Sequence, residues 1–436
     1  MKAFFLPPND KCSGNLLWSI CEILNFENEK ISSLEMIRNK GYWASAFPEG
    51  DGVVFTSDTH KKSDEILLDF QECFKWLEIE ISSLKNAKMQ LALIDSEYYI
   101  SCTITVPLKQ IRIETSCSIA ENYKYLANEA NDTIEVKRLA DFDSEQIEFQ
   151  LEIKYGDLLQ LNLISLEHDN YVINQCLDYA DRGIDIIRFM YSSFERPEFT
   201  PNPAGQVEHG FYEVQISPNI RIPVKTKTYG GISKPFSVSN NWLGPEVCPS
   251  AFGLNDYKLS EIFIGNNKSE LGNLVIGSFR NCRQAFYAFG EESKFLSLIF
   301  SIDGLTSPDN LKGWKHRTYI AVLACQEDLS KFGKILKNYD YLYTDIRNKL
   351  VHEGKSFYEL EEDSSQCCEL LWSIYKNIIC LILNKNFTKT KYLINHTKSL
   401  LTNQSYIDEY EKIIHQIDSK RTNKDGKPKK IEYPKW

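Results

Sequence analysis

The sequence predicts an α+β protein, a mixed β-rich N-terminal domain followed by an all-α C-terminal bundle. Three observations carry this. Between about residues 89 and 154 the chain runs in short, alternating or β-branched segments. From about 258 onward apolar residues recur at three- and four-residue intervals almost without a break. Between these regions, residues 230–256 are rich in Gly, Pro, Ser and Asn, a linker composition.

In chain order, residues 64–86 read as a helix, with Leu67, Leu68, Phe70, Phe74, Leu77 and Ile81 at helical spacing. Strands follow at Leu91–Ile94, 98–106, Ile111–Thr115 and Ile147–Lys154, where alternation predicts antiparallel pairing with one wet face. Residues 171–193 return to helical spacing through Val172, Ile173, Cys176, Tyr179, Ile184, Ile187 and Phe189. Pro197, Pro201 and Pro203 interrupt the chain, and 211–229 reads as a last strand pair. The helical segments are 270–289, 291–305, 314–327, 329–353 and 363–386. Gly290, Ser307-Pro308-Asp309-Asn310 and Gly354 break them, which is the pattern of an antiparallel bundle. The expected boundaries are 1–245 for the β-rich domain, 258–390 for the bundle, and 391–436 for a C-terminal helix and tail. The stretch from Lys420 to Trp436 carries seven basic and two acidic residues and no periodicity, the signature of a basic tail.

Composition narrows the function classes. The chain has 436 residues, 42% hydrophobic and 25% charged, with a formal net charge of -10. An acidic body of this kind does not coat nucleic acid generally, so any RNA contact is a local basic patch. The twelve cysteines form no CxxC pair, and all but Cys367-Cys368 stand singly, many in apolar segments. They are expected to be free thiols in a reducing, cytoplasmic setting, with neither disulfides nor a zinc site. The start is too short in apolar residues for a signal peptide, and no run of about 18 apolar residues predicts a membrane span. Nucleotide-loop, zincin, nucleophile-elbow and EF-hand motifs are all missing. The histidines at 60, 168, 209, 316, 352, 396 and 415 are too dispersed for a histidine-rich metal centre. No cofactor is expected.

One segment carries chemistry. Residues 341–357 read YLYTDIRNKLVHEGKSF, with Arg347-Asn348, three further residues, His352 and Gly354. This resembles the Arg-Asn-x-x-x-His signature of HEPN domains. Its Leu-Val-His-Glu-Gly ending resembles the HEPN subgroup found in ApeA-type anti-phage defence proteins. The stretch Phe295–Leu305 is similar to the second helix of that subgroup, where an acidic residue occupies the position of Asp303. Lys315-His316-Arg317, after Trp314, is similar to the start of its next helix. The resemblance spans about 270–386; the N-terminal domain resembles these proteins in layout only. It implies a five-helix HEPN bundle that dimerises to form a composite cleft and cuts RNA without metal.

The residue types fit that chemistry. RNA is cut without metal when its own 2'-hydroxyl attacks the adjacent phosphate, given a proton acceptor, a proton donor and a cation. His352 is the side chain poised for proton transfer near neutral pH, and Arg347 is a permanently charged phosphate clamp. Asn348 would orient the phosphate or the imidazole. Asp303 would hold Arg347 in its rotamer. Lys349, Lys315, His316 and Arg317 would grip RNA backbone. Five positions apart, Arg347 and His352 lie about 140° around an ideal helix and do not converge. Either the helix loosens near Val351, ending at Gly354, or two copies of the motif meet across a two-fold axis. The plain alternatives are an Arg347–Asp303 buttress within the bundle and a His352 that merely suits a helix C-terminus.

The resemblance implies an abortive defence role, in which the N-terminal domain answers a phage-derived trigger and the bundle cuts cellular RNA, transfer RNA first among the candidates. The competing reading is a non-catalytic HEPN module for dimerisation or RNA holding, with ligand recognition in the N-terminal domain. A third places a carbohydrate- or peptide-binding sandwich in that domain, with the bundle as dimeriser.

Overall fold

The computed structural model describes residues 2–6, 39–40, 42–46, 53–57, 90–94, 99–127, 145–154, 166–208, 211–218, 227–232, 246–265, 268–306 and 311–418. The expected helix at 64–86 and the basic tail lie outside the described residues. The chain forms two compact units, and both are discontinuous in sequence. One comprises Met1–Thr105, Phe149–Cys176 and Val214–Tyr229; the other Val106–Glu148, Leu177–Glu213 and Gly230–Trp436. The single cut expected near 245 therefore does not separate them.

The first unit is built on antiparallel pairing. Strands β1 (Lys2–Leu6), β2 (Tyr42–Ala46), β3 (Val53–Ser57) and β4 (Gln90–Ile94) form a sheet of order β2-β3-β1-β4, with Lys2 opposite both Thr56 and Ile94. Strands β9 (Gln146–Lys154), β10 (Gln206–Glu208) and β12 (Lys227–Ile232) lie further along the chain, and β5 (Tyr99–Pro107) pairs with β11 (Phe211–Pro218) from Gln215 opposite Thr105 to Pro218 opposite Cys102. Alternation does what the sequence predicts: Cys102 and Ile104 on β5, and Val214 and Ile216 on β11, are buried while their neighbours are less so.

The second unit is mainly helical. It holds the short parallel pair β6 (Arg112–Ile113) and β13 (Glu246–Val247), and the hairpin β7 (Cys117–Ala120) and β8 (Tyr123–Leu126). Helix α1 (Leu166–Tyr191) contributes its part from Leu177 onward. Then come α2 (Leu254–Phe263), α3 (Glu270–Tyr287), α4 (Glu291–Thr306), α5 (Gly313–Ala324) and α6 (Leu329–Asp340). A π-helical turn at Tyr341–Ile346 leads into α7 (Arg347–His352), then α8 (Phe357–Leu360), α9 (Ser364–Lys385), α10 (Thr390–Leu401) and α11 (Gln404–Asp418).

Helix starts obey capping chemistry. Ser269 accepts from the Gly272 N–H at 3.0 Å and Asp363 from the Gln366 N–H at 3.1 Å. α9 stops at Asn386, which takes the left-handed conformation at φ 51°. By length and composition, α9 is the one helix among the described residues long and apolar enough to cross a membrane. It runs through the core: Leu371, Trp372, Tyr375, Ile378 and Ile379 are buried, and α2, α4 and α5 pack on it. A second apolar cluster joins α5 and α6 to α10 and α11 through Val322, Phe332, Leu336, Leu401, Tyr406, Tyr410 and Ile413. The expected single C-terminal helix is thus two helices whose apolar faces complete the bundle.

The part of α1 in the second unit carries a buried charge network. Asp178, Asp181 and Asp185 form a row along α1, opposite Arg280, Arg283 and Tyr287 on α3. Arg283 reaches Asp185 at 2.5 Å and Asp178 at 3.0 Å, and Arg188 reaches Asp185 at 2.6 Å and Asp181 at 3.1 Å. Arg280 also holds Asp178 at 2.7 Å. Burial pushes the Asp178 carboxyl up, but Arg280, Arg283 and Arg182 outweigh it and hold it well below the ordinary range. On α1's other side the Tyr123 and Tyr125 hydroxyls donate to the carbonyls of Ala180 and Gly183 at 2.8 and 2.7 Å. Gly183 is required there, because any Cβ would collide with the Tyr123 ring.

Candidate active site

The segment 329–353 expected as one helix is two, with the π turn between them. The Arg347 N–H bonds the carbonyl of Leu342, five residues back, so the turn carries an extra residue and re-aims α7. Leu342, Ile346 and Leu350 remain buried, which anchors α7 to the bundle while Arg347, Asn348 and Lys349 are half-buried. α7 is helical through His352, and the chain turns at Gly354, whose φ is +66°. The amides of Glu353 and Lys355 both bond the carbonyl of Lys349, closing the helix end. The loosening expected near Val351 is not what the structure adopts. His352 is exposed and, among the described residues, its side chain makes no hydrogen bond or ion pair.

Behind Arg347 stands a polar cluster drawn from four elements. Asp303 of α4 lies with its Oδ1 3.3 Å from Nε2 of His316 on α5. Tyr343, in the π turn, is hydrogen-bonded through its hydroxyl to Asp303. The Tyr343 ring packs on the His316 ring at 5.2 Å between centroids and on the Tyr339 ring at 5.7 Å. The Arg347 guanidinium sits over the Tyr343 ring, 5.4 Å from its centroid. Arg347 Nη1 donates to Asn348 Oδ1 at 3.2 Å, while its Nε is buried without a hydrogen-bond partner.

Electrostatics sort the pair at the centre. Burial pushes the Asp303 carboxyl up to about 6, against the pull of the Arg347 charge and the Tyr343 bond. Burial, helped by the charge of Arg317, pushes His316 down to about 4. Near neutral pH the contact is therefore a carboxylate beside a neutral imidazole, and no ion pair forms.

The sequence-predicted residues thus fall into three groups. Asp303, Arg347 and Asn348 come together, with Tyr343 between the first two. His352, Lys349 and Lys315 are at least partly solvent-facing. His316 and Arg317, expected to grip RNA, are instead inside, with side chains 5% and 8% exposed. Arg317 pairs with Asp340 at 2.8 Å and lies over the Trp314 ring at 4.3 Å. Helix α5 turns this face inward because every residue from His316 to Ala324 is buried; the two basic residues are paired within the bundle, so neither is presented to a phosphate. Sequence reasoning missed Tyr339 and Tyr343, although with Arg347 they make a row at four-residue spacing, a signal of one helix face. No metal-binding group of three or more His, Cys, Asp or Glu side chains occurs among the described residues.

This arrangement offers an exposed imidazole for proton transfer, and a guanidinium supported from behind for binding an oxyanion. No known protein family, no curated protein and no solved structure matches the chain.

Proposed function

We propose that the helical unit is a metal-independent endoribonuclease of HEPN type. The observation that supports this best is the pairing, on one six-residue helix, of a solvent-facing His352 with an Arg347 backed by Tyr343 and Asp303. A histidine present only to suit a helix end needs no such neighbour.

In this reading the 2'-hydroxyl of RNA attacks the adjacent phosphate. His352 moves the proton, Arg347 neutralises the charge that builds on the phosphoryl oxygens, and Asn348 orients the guanidinium. Lys349 and Lys315 add phosphate attraction. The leaving 5'-oxygen takes a proton, and the products carry a 2',3'-cyclic phosphate and a 5'-hydroxyl. DNA, without a 2'-hydroxyl, is not a substrate.

On a helix continuous from Arg347 to His352 the two side chains project from different sides, so one copy does not present both to a single phosphate. A second copy across a two-fold axis completes the cleft. Val351 and Tyr358, 43% and 92% exposed on either side of the turn, supply apolar surface for that contact. The β-rich unit serves as the sensor of a phage-derived trigger, and the RNA cut is cytoplasmic, transfer RNA foremost. His352→Ala and Arg347→Ala are each expected to abolish RNA cleavage and growth arrest while the dimer persists by light scattering. Cleavage at the wild-type rate by either variant overturns the assignment.

A further inference from the structure

Among the described residues the one side-chain hydrogen bond of Arg347 goes to Asn348, its own chain neighbour, and its Nε has no acceptor. A carboxylate fork of the usual kind does not set the direction of this guanidinium. Beneath it lies the Tyr343 ring. That ring is itself held at two points, by its hydroxyl on Asp303 and by its face on His316 and Tyr339.

We infer that Tyr343 is a positioning residue for Arg347, a platform whose tilt is fixed by its hydroxyl bond to Asp303 and by the His316 ring packed against it. The inference rests on Arg347 being the phosphate-binding residue proposed above. It assigns His316 a role inside the bundle in place of RNA contact. It also explains why a polar tyrosine stands where a phenylalanine would fill the same space. Phenylalanine keeps the ring but leaves its tilt unset, and a guanidinium displaced by a fraction of an ångström no longer meets the developing oxyanion.

The groups that face Asp303 and Tyr343 are His316 and Arg317 from α5, Tyr339 and Asp340 from α6, and Arg347 from α7; α3 and α9 present the neutral Ser278 and Tyr375 to α4. Of these, Asp303 is the group whose charge changes near pH 6. Protonated Asp303 accepts more weakly from the Tyr343 hydroxyl and no longer attracts Arg347, so the platform should loosen as pH falls.

The test uses the full chain with Tyr343→Phe and Tyr343→Leu, each checked for native circular dichroism. In RNA cleavage, Tyr343→Phe is expected to lower kcat by about tenfold with KM unchanged, because positioning acts on the transition state. The second readout needs no activity: the Arg347 Nε–Hε resonance, assigned by its loss in Arg347→Lys. In the wild type it should move with pH around a midpoint near 6; in Tyr343→Phe the midpoint should rise, because Asp303 has lost a donor, and in Asp303→Asn the transition should vanish. An unchanged resonance and midpoint in Tyr343→Phe overturns the inference, whatever the cleavage rate. If the wild type cuts no RNA, the functional reading falls, and the resonance still decides the positioning role.

Discussion

Asp185→Asn gives the sharpest energetic prediction. Asp185 is 1% exposed and accepts from two buried guanidiniums, Arg188 at 2.6 Å and Arg283 at 2.5 Å through Nη2 and 3.2 Å through Nε. Around it, Asp178, Asp181 and Asp185 face Arg182, Arg188, Arg280 and Arg283, three negative charges against four positive. The substitution leaves two against four, with Arg188 and Arg283 only 1% and 7% exposed. Breaking a buried ion pair by removing one partner costs roughly 3–5 kcal/mol, most of it the desolvation of the charge left behind. The asparagine oxygen still accepts one of the lost bonds, which places the expected loss at about 3 kcal/mol. Urea unfolding followed at 222 nm reads this as a lower midpoint with an unchanged slope. Arg280→Ala is the internal control: its side chain is 52% exposed, so a loss under about 1 kcal/mol is expected. Equal effects from the two substitutions, or a loss under about 1 kcal/mol for Asp185→Asn, would refute the claim that this network is buried and couples α1 to α3.

The burial of titratable groups leads to three further outcomes. His316 has its folded value at about 4, below its ordinary 6.5, so its stabilisation is complete above pH 6.5 and lost as pH falls through 4. The full shift corresponds to roughly 3 kcal/mol, and His316→Leu should flatten the fall in urea midpoint across that window. Asp303 acts with the opposite sign: raised to about 6, its contribution is complete below 3.8 and lost as pH rises through 6, so Asp303→Asn should gain stability relative to wild type most clearly above pH 6. Burial pushes the thiols of Cys102, Cys176 and Cys368 up to about 12, so intact-mass analysis after brief alkylation at pH 8 should show them unmodified in the native protein and modified in urea.

The strands and helices that alternate or repeat cleanly were legible because burial is local to them. β5, β9 (Gln146–Lys154) and α1, α3, α4 and α9 fall within a few residues of their expected limits. The buried charge network was not legible, since it depends on which charges meet across helices: the acidic row on α1 looks like a solvated face until Arg283 is placed opposite it. The π turn also escaped, because Tyr341–Ile346 keeps helical composition and differs only in hydrogen-bond register. At the site, Arg347, Asn348 and His352 were legible as a motif, and Asp303 through resemblance. His316 and Arg317 were misread because a basic pair at a helix start suggests solvent, whereas here Asp303 and Asp340 receive it from inside. Tyr343 was hidden among apolar neighbours, its hydroxyl bond being a tertiary fact.

Cleavage of RNA by Arg347 and His352, as proposed, needs no metal ion. The most direct measurement incubates wild type and His352→Ala with total RNA in EDTA and reads the chemistry of the new 3'-ends. New ends bearing a 2',3'-cyclic phosphate are expected with wild type alone. New ends bearing a 3'-hydroxyl, or equal cleavage by both proteins, would contradict the proposal.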